Sequence, residues 1–252
     1  MTRVDLNADL GESFGCYRLP DEALLGLLTS ANVACGYHAG DPMVMRRVVA
    51  EAAALGVAVG AHPGFPDLQG FGRREMAASP AEIEAFVLYQ LGALAAICRA
   101  AGTRVRYLKP HGALYHRAAR DAEAADAIAR AIRAFDASLP MLGLPNTELP
   151  AAAARIGIPS AAEAFLDRGY LADGTLVPRG QPGAMIDDPV VCADRAARMV
   201  LDGVVETLDG TMIPIQPDSL CVHGDGPAAE RILRQVRARL LASGVELAPF
   251  AP

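Results

Sequence analysis

From Val4 to Leu10 apolar and polar residues alternate strictly, with Val4, Leu6, Ala8 and Leu10 on one face and Asp5, Asn7 and Asp9 on the other. This is the period of a strand with two unlike sides. It fits a sheet edge facing water, or a barrel strand whose apolar side meets helices while its polar side lines the lumen. Further along, short apolar runs end in Gly, Pro, His or Asn, and helical periodicity follows each. The pattern predicts a short helix from Pro20 to about Leu28, a strand over 31–35, and a helix capped by Asp41 with Pro42 in its first turn. That helix carries Val44, Val48, Val49 and Ala52 on one side and stops at Gly56. Residues 57–61 read as a third strand ending at His62-Pro63, and Ser79-Pro80-Ala81-Glu82 is a capping box opening a long helix to about Ala101. A fourth strand begins at Val105, a helix runs from about Asp121 to Phe135, and residues 141–144 form a fifth strand. Thr147 is placed to cap a helix ending at Ile156, and residues 159–165 form a sixth strand. From about 166 to 218 the rhythm breaks, with turn signals at Asp173-Gly174 and Asp209-Gly210 around a helix begun by Asp188-Pro189. Residues 219–222 form a seventh strand, and Pro227 opens a last helix to about Ser243.

Seven strands, nearly all followed by a helix, predict an α/β fold with a parallel sheet. The expected architecture is a (β/α) TIM-like barrel over residues 1–252, elaborated at about 166–218. A doubly wound open sheet is the alternative, but no Gly-x-Gly-x-x-Gly follows the first strand and the sole lysine admits no P-loop. A chain of 252 residues, 52% hydrophobic, suffices for one such core. The net charge of −6 and the lack of basic runs argue against nucleic acid. Neither end reads as a targeting signal, and no apolar run is expected to reach the roughly 20 residues of a membrane span. The expectation is therefore a cytoplasmic protein without a membrane partner. Five widely spaced cysteines without a Cys-x-x-Cys pair read as free thiols.

Candidate chemistry gathers at the strand ends. Of the 23 basic residues 22 are arginine, and the one lysine, Lys109, ends the fourth strand. An ammonium is a compact donor whose pKa can be pushed down, which a guanidinium cannot offer. The bland reading is drift toward arginine with one survivor. All three asparagines, Asn7, Asn32 and Asn146, lie in or just after expected strands, as do His38, His62, His111 and His223. A lone histidine there is more often a structural donor, but four on four strands, joined by the lysine, favour an active site at the barrel's carboxyl mouth. Asp9 and Glu12 add two carboxylates around a turn at Gly11. The loop 64–74, rich in Gly and aromatics, could cover a substrate. Imidazoles and carboxylates could bind a divalent metal, although no close ligand spacing occurs. Without metal, Asp9 beside an imidazole could take a proton from water while Lys109 stabilises an oxyanion or holds a carboxylate.

The segments Asn7-Ala8-Asp9-Leu10-Gly11-Glu12, Ala34-Cys35-Gly36-Tyr37-His38-Ala39-Gly40-Asp41, Gly60-Ala61-His62-Pro63-Gly64-Phe65-Pro66-Asp67, Lys109-Pro110-His111-Gly112-Ala113-Leu114-Tyr115 and Val222-His223-Gly224-Asp225 together closely resemble the LamB/YcsF lactam-utilisation family. Glu163 and Asp167-Arg168-Tyr170 resemble its later block. The resemblance implies a barrel related to polysaccharide deacetylases. It also implies ATP-dependent opening of 5-oxo-L-proline to L-glutamate by an A subunit acting with B and C subunits. On that reading Asp9 and His62 handle proton transfer, His111 is a second acid or base, and Lys109 and Arg73 face the substrate carboxylate or a phosphorylated oxygen. Asn7, Asn32 and Glu163 orient the ring, and Glu12, His38 and His223 complete the binding set, with no metal assigned. The alternatives are a self-sufficient metal-dependent amide or sugar deacetylase, in which Asp9 and His62 hold the ion, and a non-catalytic 5-oxoproline-binding subunit.

Overall fold

The computed structural model describes residues 2–223, 226 and 228–251. Ten strands lie among them: β1 (Arg3–Leu10), β2 (Ser30–Ala34), β3 (Ala58–His62), β4 (Val105–Leu108), β5 (Met141–Gly143), β6 (Ser160–Phe165), β7 (Val204–Glu206), β8 (Met212–Pro214), β9 (Ser219–Val222) and β10 (Glu246–Leu247). Strands β1 to β6 and β9 pair in parallel, and β1 pairs with β9 as well as β2, which closes a seven-stranded barrel. The short β10, too brief to register in the sequence pattern, pairs with Arg3 and Val4 before β9 takes over at Asp5. Residues 224, 225 and 227, part of the last motif and the expected helix start, lie outside the described residues.

Around the barrel run α1 (Pro42–Leu55), α2 (Pro80–Ala100), α3 (Gly112–Ala118), α4 (Ala122–Phe135), α5 (Glu148–Ile156), α6 (Pro189–Leu201) and α7 (Ala229–Ala242). Asp41 caps α1 by accepting from the N–H groups of Met43 and Val44, and Gly56 ends it in the left-handed conformation. The Ser79–Glu82 capping box forms as the sequence predicts. Thr147 does not cap α5: its hydroxyl donates instead to the Leu144 carbonyl at 2.7 Å. The seven-residue α3 was not expected, since it starts directly after Pro110-His111 and is too short to show a period. One expectation about apolar runs is corrected. By length and composition α2, at 21 residues and mean hydropathy 1.5, is long and apolar enough to cross a membrane. Glu82, Glu84, Gln90 and Arg99 interrupt its apolar run without lowering its mean hydropathy below that of a span. Here Ile83, Val87, Leu91, Leu94 and Cys98 are buried, and the Gln90 side chain both donates to and accepts from the Gly64 backbone.

Between β6 and β9 the chain leaves the barrel. It forms isolated bridges at Arg168–Met185 and Tyr170–Leu176, then α6, then the antiparallel pair β7–β8 around Asp209-Gly210. Arg168 stitches this segment, its buried guanidinium donating to the carbonyls of Ala184 and Val177 at 3.0 and 2.6 Å.

The alternation in β1 resolves in favour of a lumen, because Asp5, Asn7 and Asp9 are all buried. Asp5 accepts from the hydroxyls of Thr29, Ser30 and Ser219. One layer higher, the Asn7 amide donates to Ser219 at 2.7 Å and its carbonyl accepts from Asn32 at 2.7 Å. The Tyr107 hydroxyl donates to Asn32 at 2.6 Å. Its ring crosses the space where a Cβ on Gly60 would stand only 2.2 Å away, which is why residue 60 carries no side chain. Phe250 packs on Tyr107 with centroids 4.8 Å apart.

Burial pushes the Asp5 carboxyl up to about 6 despite its hydroxyl donors. A raised folded-state pKa gives stability that is full below the unfolded value near 4 and is lost as pH rises through about 6. Asp5→Asn is therefore expected to gain on the order of 3 kcal/mol over wild type between acid and neutral pH. Urea melts across that range check it, and a difference independent of pH would contradict it.

Candidate active site

Asp9 ends the polar face of β1 where the barrel opens. Its Oδ1 accepts from Asn32 at 2.8 Å and from the Lys109 ammonium at 3.0 Å, and its Oδ2 lies 3.4 Å from Nε2 of His62. Lys109, 2% exposed, also sits 2.7 Å from Oε1 of Glu163 and 3.1 Å from Sγ of Cys221. The second Glu163 oxygen accepts from the Tyr115 hydroxyl at 3.1 Å. Burial opposes the charge on Lys109, but Asp9, the Cys221 sulfur and Glu163 outweigh it and hold the ammonium well above its ordinary value. The shift runs opposite to the lowering that an ammonium, unlike a guanidinium, makes possible. With three partners for three donors, Lys109 fixes carboxylates rather than offering a free donor to substrate. Burial likewise opposes the Asp9 charge, while His62 and Lys109 overcome it and keep the carboxyl well below its usual range.

Three histidines meet beside Asp9. His62, ending β3, faces the Lys109 carbonyl with Nδ1 at 2.9 Å, and its Nε2 lies 3.0 Å from Nδ1 of His111. Nε2 of His111 faces the Phe71 carbonyl at 2.8 Å. His38 stacks on His111 with centroids 3.7 Å apart and planes within 3°. Oε1 of Glu12 lies 3.3 Å from Nε2 of His38 and 3.5 Å from Nδ1 of His111. Burial first, then neighbouring positive charge, pushes His38 and His111 well below 6.5, so both rings are neutral at pH 7. The loop 64–74 packs directly on these rings: a Cβ on Gly72, whose φ is +63°, would lie 2.6 Å from Cβ of His38 and 2.8 Å from Cδ2 of His111. Its glycines thus serve close approach to the imidazoles. Asp67 ties the loop by accepting from the Gly70 N–H and the Arg74 guanidinium, each at 3.0 Å.

Asp9, His62, Lys109, His111, His223 and Arg73 line one cavity of about 670 Å³, together with Phe165, His116 and a wall from the excursion that includes Arg168, Leu176 and Arg179. His223 is held by Asp167, with Nδ1 2.9 Å from Oδ2, and its ring stacks against Phe165. Glu12 and His38 line an adjoining cleft of about 430 Å³ with Phe14, Tyr17, Phe71 and Arg73. Asn7, Asn32 and Glu163, expected to orient a substrate ring, instead lie fully buried outside the cavity lining, and their polar groups hold Asp9, Lys109 and one another. Three contributors escaped sequence reasoning. Tyr107 carried a legible signal, being two residues from Lys109 on the same side of the extended chain. Tyr115 and Asp167 stood inside quoted motifs, but only the fold shows what each holds.

A closed parallel barrel with ionisable groups from β1, β3, β4, β6 and β9 at one mouth defines a (β/α) barrel protein whose site lies where such barrels place their chemistry. More particularly, the chain belongs to the LamB/YcsF family, whose model matches residues 4–252. It is similar to the A subunit of 5-oxoprolinase from Streptomyces avermitilis, 53% identical over 98% of this chain and 100% of that one. The A subunit from Azorhizobium caulinodans is 53% identical over 100% of both. The crystal structure of a lactam utilization protein from Thermus thermophilus superposes with a TM-score of 0.94 at 51% identity, covering 98% of this chain and 99% of that one. The catalytic domain of a peptidoglycan N-acetylglucosamine deacetylase from Eubacterium rectale, at 12% identity and a TM-score of 0.52 over 100% of this chain and 90% of that one, shares the fold.

Proposed function

We propose that this chain is the A subunit of a 5-oxoprolinase and opens 5-oxo-L-proline to L-glutamate in an ATP-dependent reaction carried out with B and C subunits. The observation that carries the reading is Asp9, an ionised carboxylate fixed by Lys109 and Asn32 at the edge of a cavity large enough for a small cyclic amide. Relatives named as A subunits of 5-oxoprolinase, alike over the whole chain, supply the substrate.

A five-membered lactam is a poor electrophile, so coupling to ATP, by phosphorylation of the amide oxygen, supplies a leaving group. Water then attacks the carbonyl carbon, Asp9 with His62 takes its proton, the C–N bond breaks as the ring nitrogen gains a proton, and a second water releases phosphate from the resulting γ-glutamyl phosphate to leave L-glutamate. Arg73, His116, Arg168 and Arg179 give the cavity cationic and imidazole groups suited to the substrate carboxylate and to phosphate oxygens.

The test mixes the purified full-length chain with its B and C partners, 5-oxo-L-proline and ATP, and follows glutamate and phosphate. Glutamate should form only when all three proteins and ATP are present. Equal turnover without this chain would refute the assignment, and turnover by this chain alone without ATP would favour the self-sufficient amidase.

A further inference from the structure

We propose that Glu12, His38, His62 and His111 form a binding site for one divalent transition-metal ion, zinc by ligand type, with three imidazole nitrogens and one carboxylate oxygen as ligands. The four ligand atoms lie within 4.8 Å of one another, and all four residues are buried.

A backbone carbonyl only accepts, so the ring nitrogens facing the Lys109 and Phe71 carbonyls must carry hydrogen. Where each ring carries that hydrogen alone, Nε2 of His62 and Nδ1 of His111 are lone pairs, and these two atoms face each other at 3.0 Å. Two lone pairs aimed at one point repel unless something positive lies between them. Oε1 of Glu12 stands 3.5 Å from Nδ1 of His111 and 3.3 Å from Nε2 of His38, whose ring turns out of its stack on His111 to bring its lone pair to the ion.

The spacing of the four atoms also suits an ion. Ligands about 2.0 to 2.1 Å from a tetrahedral zinc stand roughly 3.4 Å apart. Three of the six separations here are close to that, 3.0 Å for His62–His111, 3.3 Å for His38–Glu12 and 3.5 Å for His111–Glu12, and all four atoms lie within 4.8 Å of one another. Imidazole ligands commonly donate their other N–H to a carbonyl or carboxylate that locks the ring, as Lys109 and Phe71 do here. The cluster also lies between the two spaces: His62 and His111 line the larger cavity, Glu12 and His38 the adjoining cleft. Holding the ion would withdraw His62 from the proton transfer proposed above and leave that part to Asp9. The inference stands apart from the substrate assignment, since ion binding is measured without substrate.

The competing arrangement is a single proton on Nε2 of His62, donated to His111. To decide, the full chain is stripped with chelator and titrated with Zn²⁺, and separately with Co²⁺. The expected result is one equivalent of ion, visible absorption of four-coordinate Co²⁺, and a Zn²⁺-dependent rise in the melting temperature. Glu12→Gln and His38→Ala should each weaken Zn²⁺ binding by more than about tenfold. Absence of saturable binding to the wild-type chain, with nitrogen NMR placing a proton on Nε2 of His62, would overturn the proposal. So would binding at one equivalent that both substitutions leave unchanged.

Discussion

Lys109→Met is expected to abolish turnover and to lower stability by about 3–5 kcal/mol at neutral pH, the range for a buried ion pair that loses one partner. The substitution keeps most of the volume and removes the charge, leaving Asp9 and Glu163 facing a thioether in the lumen. The loss of stability in acid should become shallower. In wild type the lowered pKa of Asp9 contributes stability above the unfolded value near 4, which is lost as pH falls. In the variant His62 still lowers the Asp9 carboxyl but Lys109 no longer does, so less stability is lost as pH falls. Denaturant melts from acid to neutral pH test this. Lys109→Arg separates charge from shape: a planar fork cannot meet Asp9, Glu163 and Cys221 at once, so activity should fall about 100-fold or more with a loss of 1–3 kcal/mol from overpacking. Activity near wild type with arginine would show that the single lysine has no special part.

The second large effect is on Asp9. Asp9→Asn keeps the shape and the acceptor for Asn32 and Lys109, and Glu163 still neutralises the ammonium. The fold and the assembly with partner subunits should therefore persist, while turnover drops by about 10² to 10⁴, the usual contribution of a positioned proton acceptor. Steady-state kinetics on the reconstituted complex, with size-exclusion chromatography as the control for assembly, measure both. Turnover within about tenfold of wild type would remove Asp9 from the proton-transfer step. A parallel loss of substrate binding would instead favour the non-catalytic binding role.

Much of the barrel was legible because its signals are local. Asp41, Gly56 and the Ser79–Glu82 box set helix ends through contacts within a few residues, and the alternation in β1 sorts its side chains by the pleat alone. Thr147 failed as a cap for an equally local reason, since the Leu144 carbonyl took its hydroxyl. The short α3 and β10 left no period to read, and their neighbours decide them.

The candidate site divides in the same way. Residue type and position at strand ends picked out Asp9, His62, Lys109 and His111 as a group, because a parallel barrel brings all its carboxyl ends to one mouth. The sequence could not rank depth. Asn7, Asn32 and Glu163 lie among the supports of Asp9 because each polar atom finds a partner across the lumen, in strands far away along the chain. Nor could it foresee that the single lysine would be held between two carboxylates arriving from β1 and β6. What the sequence by itself determined was the inventory of chemical groups and the order in which the strand ends present them. Only the tertiary structure decided which charges neutralise one another, which way each imidazole is turned, and hence which atoms remain to meet a ligand, because those outcomes depend on distances between residues that are remote in the chain.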